Sequence, residues 1–167
     1  MSARVLVAGV GNVLRHDDGF GIAVAQRLIA DGQLPADVDV VETGTGGLSI
    51  VQQLMDGYQA LIVVDVVDRS AAAGTVFVLD PVVPDPGALS ADEARAAFCN
   101  LHLTEPSRVF LLARALGVLP ERVLLVGCQP QDCEELGEEL SAPVAAAVAV
   151  AVQRIQELVE STVGHPV

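Results

Sequence analysis

The chain has 167 residues, of which 51% are hydrophobic and 3% aromatic, and its formal net charge is −13. Its length and apolar content predict one globular domain with a substantial core. The scarcity of aromatic residues and the excess of acidic side chains argue against a protein that binds nucleic acid or an anionic membrane.

The cysteines and the apolar stretches indicate a compartment. Cys99, Cys128 and Cys133 are an odd number and include no C-x-x-C pair. The sequence starts without a recognisable secretory signal, so we expect a reducing, cytoplasmic environment and cysteines that are ordinary buried or half-buried residues. The longest apolar stretch, residues 144–152, is too short to cross a bilayer.

Apolar runs and helical stripes alternate along the chain. In chain order we predict strand Arg4–Ala8, helix Phe20–Asp31, strand Asp39–Glu42, helix Leu48–Met55, strands Ala60–Val66 and Thr75–Leu79, helix Pro106–Leu116, strand Arg122–Val126 and helix Pro143–Glu160. The segment 80–105 is rich in Pro, Asp and Ala, and is expected to be irregular, with one helical turn near Asp92–Ala97.

This alternation predicts a three-layer α/β/α sandwich. Its centre would be a mostly parallel, twisted sheet of five strands with helices on both faces. We expect a single domain over residues 1–160 and a loose tail over residues 161–167.

The loop after the first strand carries the most chemistry. Residues 9–21 read GVGNVLRHDDGFG and contain two adjacent carboxylates, Asp17 and Asp18. Gly9-Val10-Gly11 resembles the start of a dinucleotide fingerprint, but Leu14 stands where that fingerprint needs its third glycine. A phosphate site would also need a cation beside its backbone N–H groups. The acidic loop therefore favours a metal ion over a phosphate.

Two further residues are expected near this loop. Asp65 ends the third strand, and the carboxyl ends of neighbouring parallel strands meet at one rim of a sheet. His102 lies in the long irregular segment before a helix, and long loops without secondary structure are often functional. Two aspartates and a histidine from three loops form a suitable ligand set for a divalent transition metal with open positions.

Each residue also has a purely structural interpretation. Asp17 or Asp18 can cap the first helix, and Asp65 can be a buried hydrogen-bond acceptor. His102 can be an ordinary loop histidine, and we expect no ligand role for His16, an exposed loop residue, or for His165 in the tail.

The pattern G-x-G-N-x-L-x-x-D-D-G-x-G in residues 9–21 resembles the amino-terminal signature of the nickel–iron hydrogenase maturation endopeptidases. Residues 42–47, ETGTGG, are similar to the family's second signature, although many members have aspartate where this chain has Glu42. Residues 127–130, GCQP, and the later Leu140-Ser141 resemble the last strand and the entry to the final helix. The glycines of the second signature are expected to need a positive φ or a close backbone approach.

The resemblance implies an endopeptidase that removes the C-terminal extension of a nickel–iron hydrogenase large subunit after nickel insertion. It implies that Asp18, Asp65 and His102 are the catalytic and nickel-binding residues. The nickel would be carried by the substrate, so no tightly bound metal of the protein's own is expected. The implied partner is the nickel-loaded precursor, and we expect the protease to be a monomer. The absence of H-E-x-x-H and G-x-S-x-G motifs fits a protease that borrows its metal.

Two other functions stay open at this point. A metallohydrolase with its own zinc or nickel would use the same three residues. A nucleotide- or cofactor-binding regulatory module would use the Gly9-Val10-Gly11 turn, although Leu14 and the acidic loop argue against it. A metal assay and a thermal-shift screen with nucleotides separate these alternatives.

Overall fold

Strands and helices alternate along the chain in the computed structural model, which describes residues 4–99 and 105–164. The strands are β1 Val5–Val10, β2 Val38–Gly44, β3 Ala60–Val66, β4 Val76–Leu79 and β5 Arg122–Cys128. The helices are α1 Phe20–Asp31, α2 Gly47–Leu54, α3 Ala91–Cys99, α4 Pro106–Ala115 and α5 Ala142–Val163. Short 3₁₀ turns occupy His16–Gly19 and Pro86–Ala88.

The sheet has the strand order β2-β1-β3-β5-β4. Its first four strands in this order run parallel, and β4 is antiparallel to β5 at the edge. The predicted mostly parallel, five-stranded sheet is therefore confirmed. The register of β1 and β3 ends with Gly9 opposite Val64, so Asp65 and the loop after β1 reach the same edge of the sheet.

Helices cover both faces of the sheet. Val5 and Val7 of β1 belong to a core that includes residues of α1 and α5, whereas Leu6 and Ala8 belong to a second core with α2 and α4. Because successive strand residues point to opposite faces, one apolar strand serves both cores. This explains why β1 is apolar and buried at all six positions.

Two stretches differ from the sequence predictions. The single helical turn predicted near Asp92–Ala97 is part of a longer helix, α3, whose start is stabilised by a capping box. The Ser90 N–H donates to the Glu93 carboxylate over 2.8 Å, and the Glu93 N–H donates to Ser90 Oγ over 3.2 Å. Helix α5 extends three residues beyond its predicted end at Glu160 and so includes the first part of the expected tail.

Helix α5 is, within the described ranges, the one helix that its length and composition would allow to span a membrane. In this structure its apolar stripe is buried in the core beside α1 and the sheet. The buried residues of that stripe are Val144, Ala147, Ala151, Val152, Ile155 and Val159.

Glycines in the first signature allow α1 to approach the sheet closely. A Cβ added at Gly21 would overlap the carbonyl oxygens of Val10 and Val64 and lie 2.8 Å from the Val10 nitrogen. A Cβ at Gly9 would lie 2.7 Å from the Ala25 Cβ and overlap the Gly21 carbonyl oxygen. Gly9 and Gly21 are therefore needed for close helix–sheet contact.

In the second signature only part of the expectation is correct. Gly44 has a φ of +55°, a left-handed conformation that favours glycine. Gly46 has a φ of −91°, and the nearest atom to an added Cβ is the Thr43 carbonyl oxygen at 3.4 Å. The expectation of a positive φ or a close backbone approach is therefore wrong for Gly46.

Candidate active site

Asp18 and Asp65 meet at one cavity at the carboxyl edge of β1 and β3. The cavity has a volume of about 230 Å³ and is lined by Val10, Gly11, Asn12, Arg15, Asp18, Thr45 and Asp65. The loop after β1 supplies most of this lining, while Thr45 comes from the second signature. The structure thus brings together two of the three residues that the sequence singles out.

Asp65 is a buried carboxylate at the end of β3. It is 8% exposed, and its Oδ1 accepts one hydrogen bond, 2.8 Å long, from the N–H of the adjacent Val66. The pKa of Asp65 is raised to about 7, mainly by burial; the Val66 N–H lowers it and the negative charge of Asp18 adds to the rise. The ionised form of Asp65 is therefore poorly stabilised, and binding a proton or a cation would offset the cost of its buried charge.

Asp18 is held by the loop that precedes it. Its Oδ2 accepts a 3.0 Å hydrogen bond from the backbone N–H of Asn12, whose own side-chain oxygen accepts one from the Leu14 N–H. Helix α1 begins after Gly19, and no side chain caps it. The capping interpretation is therefore wrong for both Asp17 and Asp18.

Asp17 has a structural role, and it does not line the cavity. Its buried carboxylate accepts hydrogen bonds from the N–H groups of Gln131 at 2.7 Å, Asp132 at 3.0 Å and Ser141 at 2.7 Å. The Ser141 hydroxyl donates a fourth, 2.9 Å long. Burial alone would raise the pKa of Asp17, but these four bonds outweigh it and hold the pKa below 3.8. Asp17 therefore ties the first loop to the segment that leads into α5.

Replacing Asp17 with Asn is expected to destabilise the protein by about 2–4 kcal/mol at pH 7, because an amide cannot satisfy this set of donors. The lowered pKa means that Asp17 contributes its stability above its ordinary pKa and loses it as the pH falls through the folded-state pKa. The difference in unfolding free energy between the wild type and Asp17→Asn should thus narrow as the pH falls below 3.8 and through the lowered pKa of Asp17. Urea unfolding at neutral and acidic pH measures this, and an equal gap at both would contradict it.

The raised pKa of Asp65 predicts the opposite pH dependence. As the pH rises from 3.8 to about 7, Asp65 loses its proton in the unfolded chain but keeps it in the folded protein. The free energy of unfolding of the wild type therefore falls over this range. Asp65→Asn removes this loss and should be more stable than the wild type by a few kcal/mol at pH 8, at about 1.4 kcal/mol per pK unit. At pH 4 the two proteins should be nearly equal. A variant that is less stable than the wild type at pH 8 would contradict the assignment.

The histidines fall in different places. His102 lies outside the described residues, as does His165, so the ligand role of His102 stays a prediction. His16 is half buried rather than exposed, and its Nδ1 lies 2.9 Å from the carbonyl oxygen of Glu139. It does not line the cavity of Asp18 and Asp65.

Two residues near the carboxylates were not singled out from the sequence. Arg15 lines the cavity as a cation, and it forms no ion pair within 4.0 Å in the described part of the chain. The pKa of the Cys133 thiol is raised to about 12. Burial is the largest cause, and the nearby negative charges of Asp18, Asp17, Asp132 and Asp65 add to it. Cys133 is therefore a thiol at neutral pH and a poor nucleophile.

A larger and more apolar groove adjoins Asp65. Its volume is about 330 Å³, and its lining includes Val66, Val67, Pro81, Val82, Val83, Pro84, Pro106, Phe110 and Leu125. The carboxylate of Asp65 thus stands between a small acidic cavity and an apolar groove. This arrangement offers a ligand a polar, acidic position beside an apolar one.

Comparison with known proteins gives a consistent result. Residues 22–158 match the family model described as hydrogenase maturation protease. The chain is 34% identical to the hydrogenase expression/formation protein HupD of Rhizobium leguminosarum bv. viciae over 159 residues, which are 95% of this chain and 75% of HupD. It is also 34% identical over 161 residues to the coenzyme F420 hydrogenase subunit delta of Methanothermobacter thermautotrophicus, covering 92% of each chain.

Solved structures agree in fold. The crystal structure of a hydrogenase 2 maturation peptidase from a Thaumarchaeota archaeon has 34% sequence identity and a TM-score of 0.65, with 93% of this chain and 97% of that chain covered. The hydrogenase maturating endopeptidase HybD from E. coli, at 24% identity and a TM-score of 0.74, shares the fold over 95% of this chain and 93% of its own. The chain therefore belongs to the hydrogenase maturation protease family and is a hydrolase of the endopeptidase class.

Proposed function

We propose that this endopeptidase removes the C-terminal extension of a nickel–iron hydrogenase large-subunit precursor after nickel insertion, and that the substrate's nickel binds Asp18, Asp65 and His102. The observation that carries the proposal is the convergence of Asp18 and Asp65, from two separate loops, on one cavity. Membership of the maturation protease family supports the hydrogenase precursor as the substrate.

The electrostatics of the cavity favour an incoming cation. Two carboxylates and one cation, the Arg15 guanidinium, line a small space, so acidic groups outnumber basic ones, and the more buried carboxylate holds a proton up to a pH of about 7. A divalent cation would replace that proton and neutralise both charges. Two carboxylates and an imidazole leave other coordination positions for the ligands that the precursor itself supplies. Nickel bound in this way would fix the scissile bond beside the cavity.

The hydrolysis needs a nucleophile that neither Cys128 nor Cys133 supplies. Burial raises the pKa of Cys128 to about 11, and the pKa of Cys133 is about 12, so both are thiols. Water is therefore the proposed nucleophile: it adds to the scissile carbonyl carbon, the C–N bond breaks, and a proton passes to the leaving amine. Nickel or a carboxylate assists the removal of the water proton.

The apolar groove beside Asp65 gives a place for the substrate. A peptide with its scissile bond at the carboxylates can place an apolar side chain among the valines and prolines of the groove. The proposed partner is the nickel-loaded precursor, the proposed compartment is the cytoplasm, and the protease acts as a monomer.

The nucleotide-binding alternative conflicts with the first loop. Gly9 and Gly21 are in close contact with each other, and a Cβ at Gly11 would overlap the Asp18 carbonyl oxygen. These glycines thus face backbone rather than an open phosphate site. The nearby cavity carries two carboxylates against the single guanidinium of Arg15, so its acidic groups disfavour phosphate.

The metallohydrolase alternative is tested by chelation. The protease is stripped with a chelator, desalted, analysed for metal and mixed with nickel-loaded precursor, and release of the extension is followed by mass spectrometry. We expect full activity without added metal, because the substrate supplies the nickel. An enzyme that needs its own zinc or nickel restored at Asp18 and Asp65 before it cleaves would overturn the proposal in favour of the metallohydrolase.

A further inference from the structure

A second group of ligand atoms lies outside the cavity of Asp18 and Asp65. His16, Asp132 and Glu135 each place a ligand atom within 4.8 Å of those of the other two. Histidine comes from the first loop, and the two carboxylates come from the segment between β5 and α5. None of the three lines the cavity of Asp18 and Asp65.

The imidazole of His16 is oriented in the manner of a metal ligand. Its Nδ1 is 2.9 Å from the carbonyl oxygen of Glu139, which only accepts hydrogen bonds, so Nδ1 carries the proton and Nε2 has the free lone pair. Metal-binding histidines are commonly fixed in this way by a backbone carbonyl at the second ring nitrogen. Nε2 has no hydrogen-bond partner in the portion of the chain that the structure describes.

The ring is also held in place by its surroundings. A Cβ added at Gly137 would overlap the His16 ring, so Gly137 packs directly against it. The two loops are joined by backbone hydrogen bonds, from the His16 N–H to the Gly137 carbonyl at 2.7 Å and from the Gly137 N–H to the Leu14 carbonyl at 2.9 Å. The imidazole is therefore already positioned before any ion arrives.

The two carboxylates complement the imidazole. Asp132 Oδ1 accepts hydrogen bonds from the Glu134 N–H at 2.9 Å and the Glu135 N–H at 3.3 Å, which leaves Oδ2 available. The Glu135 carboxylate is exposed and makes no hydrogen bond or ion pair within the described ranges.

We propose that His16, Asp132 and Glu135 bind one divalent transition-metal ion of the zinc, cobalt or nickel type, separate from the nickel that the substrate carries. One imidazole nitrogen and two carboxylate oxygens suit these ions, and water completes the coordination. The ion cross-links the first loop to the segment that leads into α5, as Asp17 also does from its buried position. Binding therefore stabilises the loop that carries Asp18.

The test is calorimetric titration with Zn²⁺ on the full chain carrying Asp18→Asn and Asp65→Asn, so that those carboxylates do not compete. We expect the titration to show one bound Zn²⁺. In parallel measurements, NMR should show a shift of the His16 Nε2 resonance, and thermal unfolding should show a higher melting temperature with Zn²⁺. Adding Glu135→Gln should weaken binding by about tenfold or more, and adding His16→Asn should weaken it further. Asn tolerates the φ of +46° at position 16.

Glu138→Gln is the matched control, because Glu138 is exposed in the same segment and lies outside the ligand set. It should bind Zn²⁺ as the parent does. The proposal is overturned if the parent binds no Zn²⁺, or if Glu135→Gln binds as tightly as Glu138→Gln. Because Glu135 is exposed, Glu135→Gln should fold normally. Its comparison with Glu138→Gln therefore tests the proposal even if the His16 variant folds poorly. Because no step measures cleavage, the outcome is independent of the proposed protease mechanism.

Discussion

Asp18→Asn and Asp65→Asn are each expected to slow processing of the hydrogenase precursor by about 10²-fold or more. Each change removes one charge from a cavity in which two carboxylates act on one metal ion. Because the residues act as a unit, the double variant should be only slightly slower than either single variant. The rate of extension release from nickel-loaded precursor measures this, and the same loss is predicted for His102→Ala.

Asp56→Asn is the control for these variants. Asp56 is an exposed carboxylate that precedes β3, at the sheet edge opposite to Asp65, and its loss should leave processing unchanged. The melting temperatures of Asp18→Asn and Asp65→Asn should stay at or above that of the wild type at pH 8. Normal processing by either variant would contradict the single-metal site. So would a double variant whose rate is reduced by the product of the two single-variant reductions.

Gly21→Ala is expected to destabilise the protein by about 3–5 kcal/mol, a large fraction of the total stability of a domain. The added Cβ would overlap two carbonyl oxygens of the sheet, so α1 must move away from β1 and β3. Since one of these oxygens belongs to Val64, next to Asp65, the shift would also disturb the cavity. We expect the melting temperature to fall by about 10 °C or more, together with loss of activity.

Gly46→Ala is the matched control in the second signature. Gly46 has an ordinary negative φ, and its added Cβ would be 3.4 Å from the nearest atom, so we expect a change below about 1 kcal/mol. Equal melting temperatures of the two variants would show that the contact of Gly21 with the sheet is not what requires glycine there.

Much of the sheet and part of the site follow from local sequence patterns. Uninterrupted apolar runs identify β1 and β3, and chain direction alone places Asp18 and Asp65 at one edge. The antiparallel direction of β4 has no comparable local signal. Helix α3 has a local signal in the Ser90–Glu93 capping box, but only one of its turns, near Asp92–Ala97, is predicted from the sequence.

The remaining features depend on contacts between distant parts of the chain. The partners of Asp17 lie 114 to 124 positions away in sequence, so no local pattern distinguishes its structural role from that of Asp18. The same holds for Gly21, whose need for glycine comes from Val64, and for Gly46, whose surroundings prove open. Adjacent residues of one type thus have different roles because they face different partners.

The most direct test of the proposed nickel recognition compares one precursor in two states. Wild-type protease, stripped of metal, is incubated with nickel-loaded and with nickel-free large-subunit precursor, and release of the C-terminal extension is quantified over time. We expect the wild type to cleave the nickel-loaded precursor and not the nickel-free precursor, and Asp18→Asn and Asp65→Asn to cleave the nickel-loaded precursor slower by about 10²-fold or more. Efficient cleavage of the nickel-free precursor by the wild type would contradict the proposed recognition.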